Sequence, residues 1–132
     1  MNTYPDHETV LLTLIRNQSA YGWAKRILSR GGVNLDWESG HYGKMTRLIL
    51  AISIYAVDQG NQTICINLKE LSLLLFINKN VVQYLLGVGS KMRTFSEKND
   101  PLGIWDMKQI DDDSFHLTLN KTFFTQCLEI CR

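Results

Sequence analysis

The feature that most constrains the fold is an ordered series of strand and helix patterns between residues 63 and 120. Apolar residues recur at helical spacing in two adjacent segments, and they alternate with polar residues in the two segments that follow. The predicted elements are, in order, a strand from Ile64 to Asn67, a helix that opens at Leu68, a break around Ile77 to Asn80, a second helix to about Phe95, and two strands that meet at Asp111-Asp112-Asp113. This order predicts a pair of helices joined by a short turn and followed by a hairpin.

The composition favours one domain, residues 1–132, with a single core. Of these residues 45% are hydrophobic, and a chain of this length buries roughly two-thirds of the surface that it exposes when unfolded. The formal net charge is only +1, so the strong basic excess typical of many nucleic-acid-binding proteins is absent. The positive charge is local instead, because residues 67–100 carry five basic and three acidic side chains, whereas residues 101–132 carry three and five.

The cysteines and the apolar segments bear on the compartment in which the chain works. Cys65, Cys127 and Cys131 match no disulfide framework, and the N-terminus resembles no secretory signal. No apolar run reaches the roughly 18 residues needed to cross a bilayer. We therefore expect a cytoplasmic protein with reduced thiols and no membrane contact.

Residues 1–43 predict a helical N-terminal extension and a loop. Apolar residues recur at helical spacing from Glu8 to Arg30 with an interruption at Asn17-Gln18-Ser19, so one long helix or two short ones would fit. Gly31-Gly32 is a typical helix stop. Residues 33–43 follow no sustained period and predict an ordered loop anchored by its two aromatic rings.

The most hydrophobic helix is predicted to follow this loop and to close at Gly60-Asn61. Its apolar stripe consists of Met45, Leu48, Ile49, Ile52, Tyr55 and Ala56. A stripe of this width is typical of a helix with a large buried face. We therefore expect this helix to be central and to lie beneath the two helices that come after it.

The run from Leu68 to Leu86 resembles the helix-turn-helix of bacterial winged-helix regulators and plasmid-type replication initiators. The matching positions are Leu71 and Leu75 as inward residues of the first helix, Ser72 at the crossing, Ile77 in the turn, Asn78 as the cap, and Val82 and Leu86 as inward residues of the second helix. With the hairpin as the wing, the resemblance extends to Asn120. It implies a winged-helix core over residues 44–120, preceded by the N-terminal extension and followed by a short C-terminal helix over residues 121–132.

The resemblance also implies a role for the side chains that point outward from the second helix. Such a helix lies in the major groove with its first turns against base edges. In this interpretation Asn80 and Gln83 pair with an adenine edge, and Lys79 meets a phosphate or a guanine. The candidate DNA-binding residues are Asn78, Lys79, Asn80, Gln83, Tyr84, Lys91 and Arg93, of which the last two would hold phosphates.

Two features depart from the pattern of these families. Phe76 occupies the turn position that glycine usually holds, which predicts a tighter or differently packed corner. Gly87 and Gly89 lie within the second helix, where each costs about 1 kcal/mol relative to alanine. The helix is therefore expected to end or bend there, or the glycines to pack closely against a neighbour.

The hairpin turn and the C-terminal helix suggest a protein partner. Asp111, Asp112 and Asp113 would be repelled by a phosphate backbone, so this wing is predicted to face a protein instead of a groove. Phe124 and Leu128 lie on the apolar side of the C-terminal helix. That helix would either make a dimer contact or cover the chain's own core.

Residues that could support catalysis or metal binding are scattered. Ser90 and Cys65 belong to no nucleophile motif, and Cys127 with Cys131 lacks the further ligands that zinc needs. The three histidines are interpreted as surface residues: His7, His41 and His116. We therefore predict no enzyme, no metal and no cofactor.

These patterns predict an α+β, mainly helical fold of the winged helix-turn-helix type. The predicted function is binding of double-stranded DNA, as a bacterial transcription regulator or as a module of the replication-initiator type. The alternative is a winged-helix adaptor that binds another protein through its acidic wing and C-terminal helix. A homodimer is compatible with either function.

Overall fold

The computed structural model of the protein describes residues 6–30, 40–95 and 103–131. These ranges contain six helices and one antiparallel sheet of three strands, so the chain is a mainly helical α+β protein, as predicted. The elements are α1 (His7–Arg16), α2 (Gln18–Arg30), α3 (His41–Gln59), β1 (Thr63–Asn67), α4 (Leu68–Leu75), α5 (Lys79–Lys91), β2 (Trp105–Gln109), β3 (Ser114–Leu119) and α6 (Lys121–Ile130). Within the same ranges, no single helix is both long and apolar enough to cross a membrane, and α4 and α5 meet that criterion only as a bent pair taken together.

The N-terminal extension forms two helices, which decides between the two sequence-based alternatives. α1 ends at Arg16 because the backbone of Asn17 is extended. The side-chain oxygen of Asn17 then accepts the N–H groups of Ser19 and Ala20 at 2.9 and 3.1 Å. These bonds satisfy donors that would otherwise be free at the start of α2. The predicted stop at Gly31-Gly32 lies outside the described residues.

The loop predicted over residues 33–43 is wrong at its end, because α3 already begins at His41. Gly40 precedes the helix in a left-handed conformation with a φ of 76°. Tyr42 belongs to the first turn of α3, and its hydroxyl donates to the carbonyl of Lys25 in α2 at 3.4 Å. The ring is thus anchored by a contact between two helices, and the polar composition of this segment hid the start of the helix. The rest of the predicted loop lies outside the described residues.

α3 is the central helix, as its hydrophobicity predicted. Every side chain from Met45 to Ala56 is buried except that of Arg47, which is half-buried. α1, α2 and α6 pack against α3, and α4, α5 and β1 contact it. The helix ends where Gly60 adopts a left-handed conformation with a φ of 63°. Because burial of apolar surface is the main favourable contribution to folding, α3 organises the core.

The sheet has the strand order β1-β3-β2, and β3 pairs antiparallel with both neighbours. Phe115, Leu117 and Leu119 of β3 are buried between half-buried polar residues, which confirms the predicted alternation. At the outer edge of β1, the side-chain amide of Gln59 accepts the N–H of Cys65 at 2.8 Å and donates to its carbonyl at 2.7 Å. This amide occupies edge groups that another strand could otherwise use for pairing.

α6 follows β3 directly and begins at a buried cap. Asn120 is fully buried, and its side-chain oxygen accepts the N–H groups of Thr122 and Phe123 at 2.9 and 3.2 Å. Its side-chain nitrogen has no hydrogen-bond partner among the described residues. A buried donor without a partner carries a desolvation penalty of about 1–3 kcal/mol.

This arrangement predicts that the side-chain oxygen of Asn120 stabilises the protein and that its side-chain nitrogen destabilises it. Asn120→Ser retains a capping oxygen and removes the unpaired donor, whereas Asn120→Ala removes both. We expect the serine variant to be more stable than the alanine variant by about 1 kcal/mol, the usual contribution of a helix cap. Urea denaturation of the two variants measures the difference. Equal free energies of unfolding would contradict a stabilising role for the cap.

Candidate nucleic-acid interface

α4 and α5 form a bent pair around the turn at residues 76–78, with an angle of 101° between them. The side chains predicted to face inward are all buried: Leu71, Leu75, Ile77, Val82 and Leu86. Ser72 lies at the crossing, and its hydroxyl donates to the carbonyl of Ile77. That bond joins α4 to the turn. The predicted inward face of the helical pair is therefore confirmed.

The outward face of α5 opens with polar side chains. Asn80 and Gln83 are exposed, as predicted, and the ring of Tyr84 is 52% exposed and lies 5.6 Å from the ring of His41. Asn78 is the cap, because its side-chain oxygen accepts the N–H of Asn80 at 2.8 Å. Asn78 therefore stabilises the start of the helix. Contact between any of these residues and DNA stays a prediction.

Lys79 differs from its neighbours because its ammonium group is paired within the chain. Its Nζ lies 2.6 Å from Oδ1 of Asp113 in the hairpin turn, and Nζ of Lys69 lies 3.5 Å from Oδ2 of the same carboxylate. The hydrogen bond from Lys79 is the main reason why the pKa of Asp113 lies below its ordinary value, so this carboxylate is charged at neutral pH. Asp113 thus joins the hairpin turn to the start of α5. The sequence did not reveal this pairing, because 34 positions separate the two residues.

The other two aspartates of the turn have different surroundings. Oδ1 of Asp111 accepts the N–H groups of Asp113 and Ser114 at 3.0 and 2.8 Å. These backbone donors lower the pKa of Asp111. Asp112 is exposed and, in the described part of the chain, takes part in no hydrogen bond or ion pair. Two of the three carboxylates proposed for a protein partner therefore also have partners inside the chain, which the sequence-based prediction did not include.

Lys91 and Arg93 lie at the opposite end of α5 from the exposed amides. Both are exposed. Lys91 is about 18 Å from Lys79 along the helix axis, given the rise of an α-helix. They are therefore separate from the lysines that Asp113 holds, and they remain available to bind an anion.

α5 ends at Lys91, so the helix predicted to continue to about Phe95 is shorter than expected. The backbone of Met92 is extended, with φ of −75° and ψ of 125°, and its side chain is buried. Beyond it, the hydroxyl of Thr94 donates to the carbonyl of Ile27 in α2 at 2.9 Å. The chain therefore leaves the helix to contact the N-terminal extension, and the local sequence did not signal this distant contact.

Phe76 has a left-handed backbone and an exposed side chain, neither of which the sequence predicted. Its φ of 55° and ψ of 43° are left-handed, and no other non-glycine residue in the described ranges has a positive φ. This conformation costs a non-glycine residue about 1 kcal/mol. The side chain is 84% exposed, and Leu73 one turn earlier is 74% exposed. The backbone at this corner thus has the conformation that glycine favours, although the residue is a phenylalanine.

The two glycines of α5 do not end the helix, which continues through both to Lys91. A Cβ atom on Gly89 would lie 2.1 Å from Cζ2 of Trp105, whereas a Cβ atom on Gly87 would have nothing within 4 Å. Close packing against a neighbour is therefore confirmed for Gly89 and not for Gly87.

α6 covers the chain's own core. Phe123 and Cys127 are fully buried, the ring of Phe123 stacks on that of Trp23, and burial raises the pKa of the Cys127 thiol well above its ordinary value. The thiol of Cys131 donates to the hydroxyl of Ser53 at 3.4 Å. The candidate partner residues of this helix, Phe124 and Leu128, are half-buried. A dimer contact through them stays a prediction.

The three histidines interpreted as surface residues are half-buried, and two of them also contact other side chains. A ring nitrogen of His7 bonds to the carboxylate of Asp58, and its ring lies 4.9 Å from that of Tyr55. His41 opens α3 and contacts Tyr84, as described above. The part of the chain that the structure describes contains no group of three or more His, Cys, Asp and Glu side chains placed to hold a metal ion.

The geometry defines a mainly helical α+β protein in which an exposed polar helix start lies beside an antiparallel hairpin. Comparison of the chain with protein-family models, with curated proteins and with solved structures found no match in any of the three. The function must therefore be inferred from the residues and their geometry.

Proposed function

We propose that the chain is a winged-helix protein that binds double-stranded DNA, as a transcription regulator or as a module of the replication-initiator type. The element order from α3 to β3 and the strand order β1-β3-β2 are compatible with that fold. The observation that carries the proposal is the start of α5, whose inner side is buried against α4 and whose outer side exposes Asn80 and Gln83. The major groove of DNA admits a helix presented in this way.

Two kinds of exposed side chain, on α5 and just beyond its end, suit two kinds of contact. Carboxamides can donate and accept at once, so Asn80 and Gln83 can form bidentate pairs with N6 and N7 of adenine. Lys91 and Arg93 carry the charge that phosphates attract. The amides would supply sequence preference, and the cations would supply affinity and orientation.

Internal pairing limits the positive potential at the start of α5. Lys69 and Lys79 share the carboxylate of Asp113, so their three charges sum to +1 instead of +2. Because the pKa of Asp113 lies below its ordinary value of 3.8, the carboxylate is charged at neutral pH and its pairing with the two lysines is fully present there. Asp113 therefore acts as an internal competitor for the phosphate backbone.

The proposal predicts that removal of this competitor strengthens DNA binding. Asp113→Ala leaves Lys69 and Lys79 without their internal counter-charge. If one of them reaches a phosphate, the logarithmic salt dependence steepens by about 0.9, which corresponds to about tenfold tighter binding at low salt. Fluorescence anisotropy of a labelled random-sequence duplex, repeated over a series of salt concentrations, measures both quantities.

Asp112→Ala is the matched control, because it removes the same charge from the same turn without breaking a described ion pair. Equal increases in affinity in the two variants would show that net charge, not release of the lysines, strengthens binding. Absence of duplex binding by the native chain and by both variants would contradict the proposed function. The adaptor, which binds a protein through the hairpin turn and α6, would then be the better proposal.

A further inference from the structure

The surface formed by the turn before α5 and the first turns of that helix carries the exposed ring of Phe76 and two exposed amides. Phe76 lies two residues before the cap Asn78, and its side chain is 84% exposed. It adopts a left-handed conformation, for which glycine is better suited, and it gains almost no burial in return. Neither the backbone nor the core therefore explains a phenylalanine at this position. A contact with a bound molecule would.

The polar groups that follow Phe76 at the start of α5 limit what that molecule can be. Asn80 and Gln83 are exposed, and carboxamides match the edge of adenine. Lys79 is the side chain at the start of α5 that would match guanine, but Asp113 holds its ammonium at 2.6 Å. The groups left accessible thus favour adenine over guanine. On the same base pair, the thymine partner presents an apolar C5-methyl group in the major groove.

We infer that this surface, if the proposed function is right, selects A·T base pairs, with Asn80 and Gln83 bonded to adenine and the Phe76 ring against the C5-methyl group of thymine. An aromatic side chain is one of the apolar groups that contact this methyl in the major groove. The methyl group is present in thymine and absent from uracil and from cytosine. Recognition therefore depends on one carbon atom that can be removed from the DNA without changing base pairing.

Four duplexes of equal length and alternating sequence test the inference with the full chain: A·T, A·U, G·C and I·C. The A·U duplex lacks only the methyl groups. The I·C duplex has the major-groove pattern of G·C and the minor-groove pattern of A·T, because inosine lacks the N2 amino group of guanine. Binding is measured by competition against a labelled A·T duplex at constant salt, since affinities at different salt concentrations are not comparable.

We expect the native chain to bind A·T about tenfold or more tightly than both G·C and I·C. The A·U duplex should bind about fourfold more weakly than A·T, the factor that corresponds to burial of one methyl group. In Phe76→Gly the A·T and A·U duplexes should bind with the same affinity. This variant is expected to fold, because glycine adopts the left-handed conformation at that position without strain.

Leu73→Ala is the matched control variant. Leu73 is 74% exposed on α4, and it lies three residues before Phe76 and so farther along the chain from the start of α5. It should retain the fourfold preference for A·T over A·U, which rests on one buried methyl group. If Leu73→Ala and Phe76→Gly weaken binding to all four duplexes by the same factor, general apolar contact explains Phe76 and the inference is overturned.

The remaining outcomes separate this inference from the proposed function. Binding to all four duplexes with one affinity overturns the inference and leaves DNA binding intact. Equal affinity of the native chain for A·U and A·T also overturns the inference, because the methyl group would then make no contact. Equal affinity for I·C and A·T overturns it as well, because it places the contact in the minor groove. Binding to none of the duplexes overturns the proposed function, and the inference with it.

Discussion

Gly89→Ala is expected to destabilise the protein by about 3 kcal/mol, the upper end of what overpacking a core usually costs. The new methyl group would lie 2.1 Å from Cζ2 and 2.3 Å from Cε2 of Trp105. That indole is fully buried and cannot shift freely, because its N–H donates to the carbonyl of Leu86 at 2.8 Å. Relief of the clash would therefore break a buried hydrogen bond or separate β2 from α5.

Gly87→Ala provides the matched comparison, two residues earlier in the same helix. A Cβ atom there meets nothing within 4 Å. Alanine should therefore stabilise the protein by about 0.5–1 kcal/mol, the usual difference from glycine in a helix interior. Urea denaturation of the two variants measures both free energies of unfolding. Destabilisation of similar size in both would contradict this account and would indicate that any side chain perturbs α5.

These two glycines show how far the sequence constrained the fold. Helical spacing and turn residues are local signals, so they predicted the start of α4 at Leu68 and the cap at Asn78. Alternation predicted the buried side of β3. The sequence alone could not distinguish Gly87 from Gly89, because the difference between them is a tryptophan that lies sixteen positions beyond Gly89 in the chain.

The sequence likewise predicted one part of the candidate site and not another. Helical periodicity predicted which side of α5 faces outward, and Asn80 and Gln83 are exposed accordingly. Periodicity carries no information about ion pairs between distant segments, so it treated Lys79 and Asp113 as unrelated surface charges, one for DNA and one for a protein partner. The structure joins them. This single contact changes the expected chemistry of the helix start, because it removes the side chain best suited to guanine.

Replacement of both exposed amides should have the largest effect on DNA binding under the proposed function. The double variant Asn80→Ala with Gln83→Ala is expected to bind its preferred duplex about thirtyfold more weakly, since each bidentate pair with a base contributes about 1–3 kcal/mol. Its logarithmic salt dependence should stay unchanged, because amides neutralise no phosphate. Anisotropy titrations at several salt concentrations provide both values.

Unfolding of the double variant would not explain weaker DNA binding, because the variant is expected to stay folded. Alanine is the best helix former, and both side chains are exposed on α5, so the variant should be at least as stable as the native chain. The cap is also preserved, because Asn78 bonds to the backbone N–H of residue 80 and not to its side chain.

The comparison variant is Lys91→Ala with Arg93→Ala, which removes two exposed cations from the far end of the helix. We expect it to weaken binding to every duplex alike and to reduce the salt dependence by about 0.9 for each phosphate that is no longer neutralised. If the amide variant instead loses affinity uniformly across sequences, α5 holds the phosphate backbone and does not contact base edges.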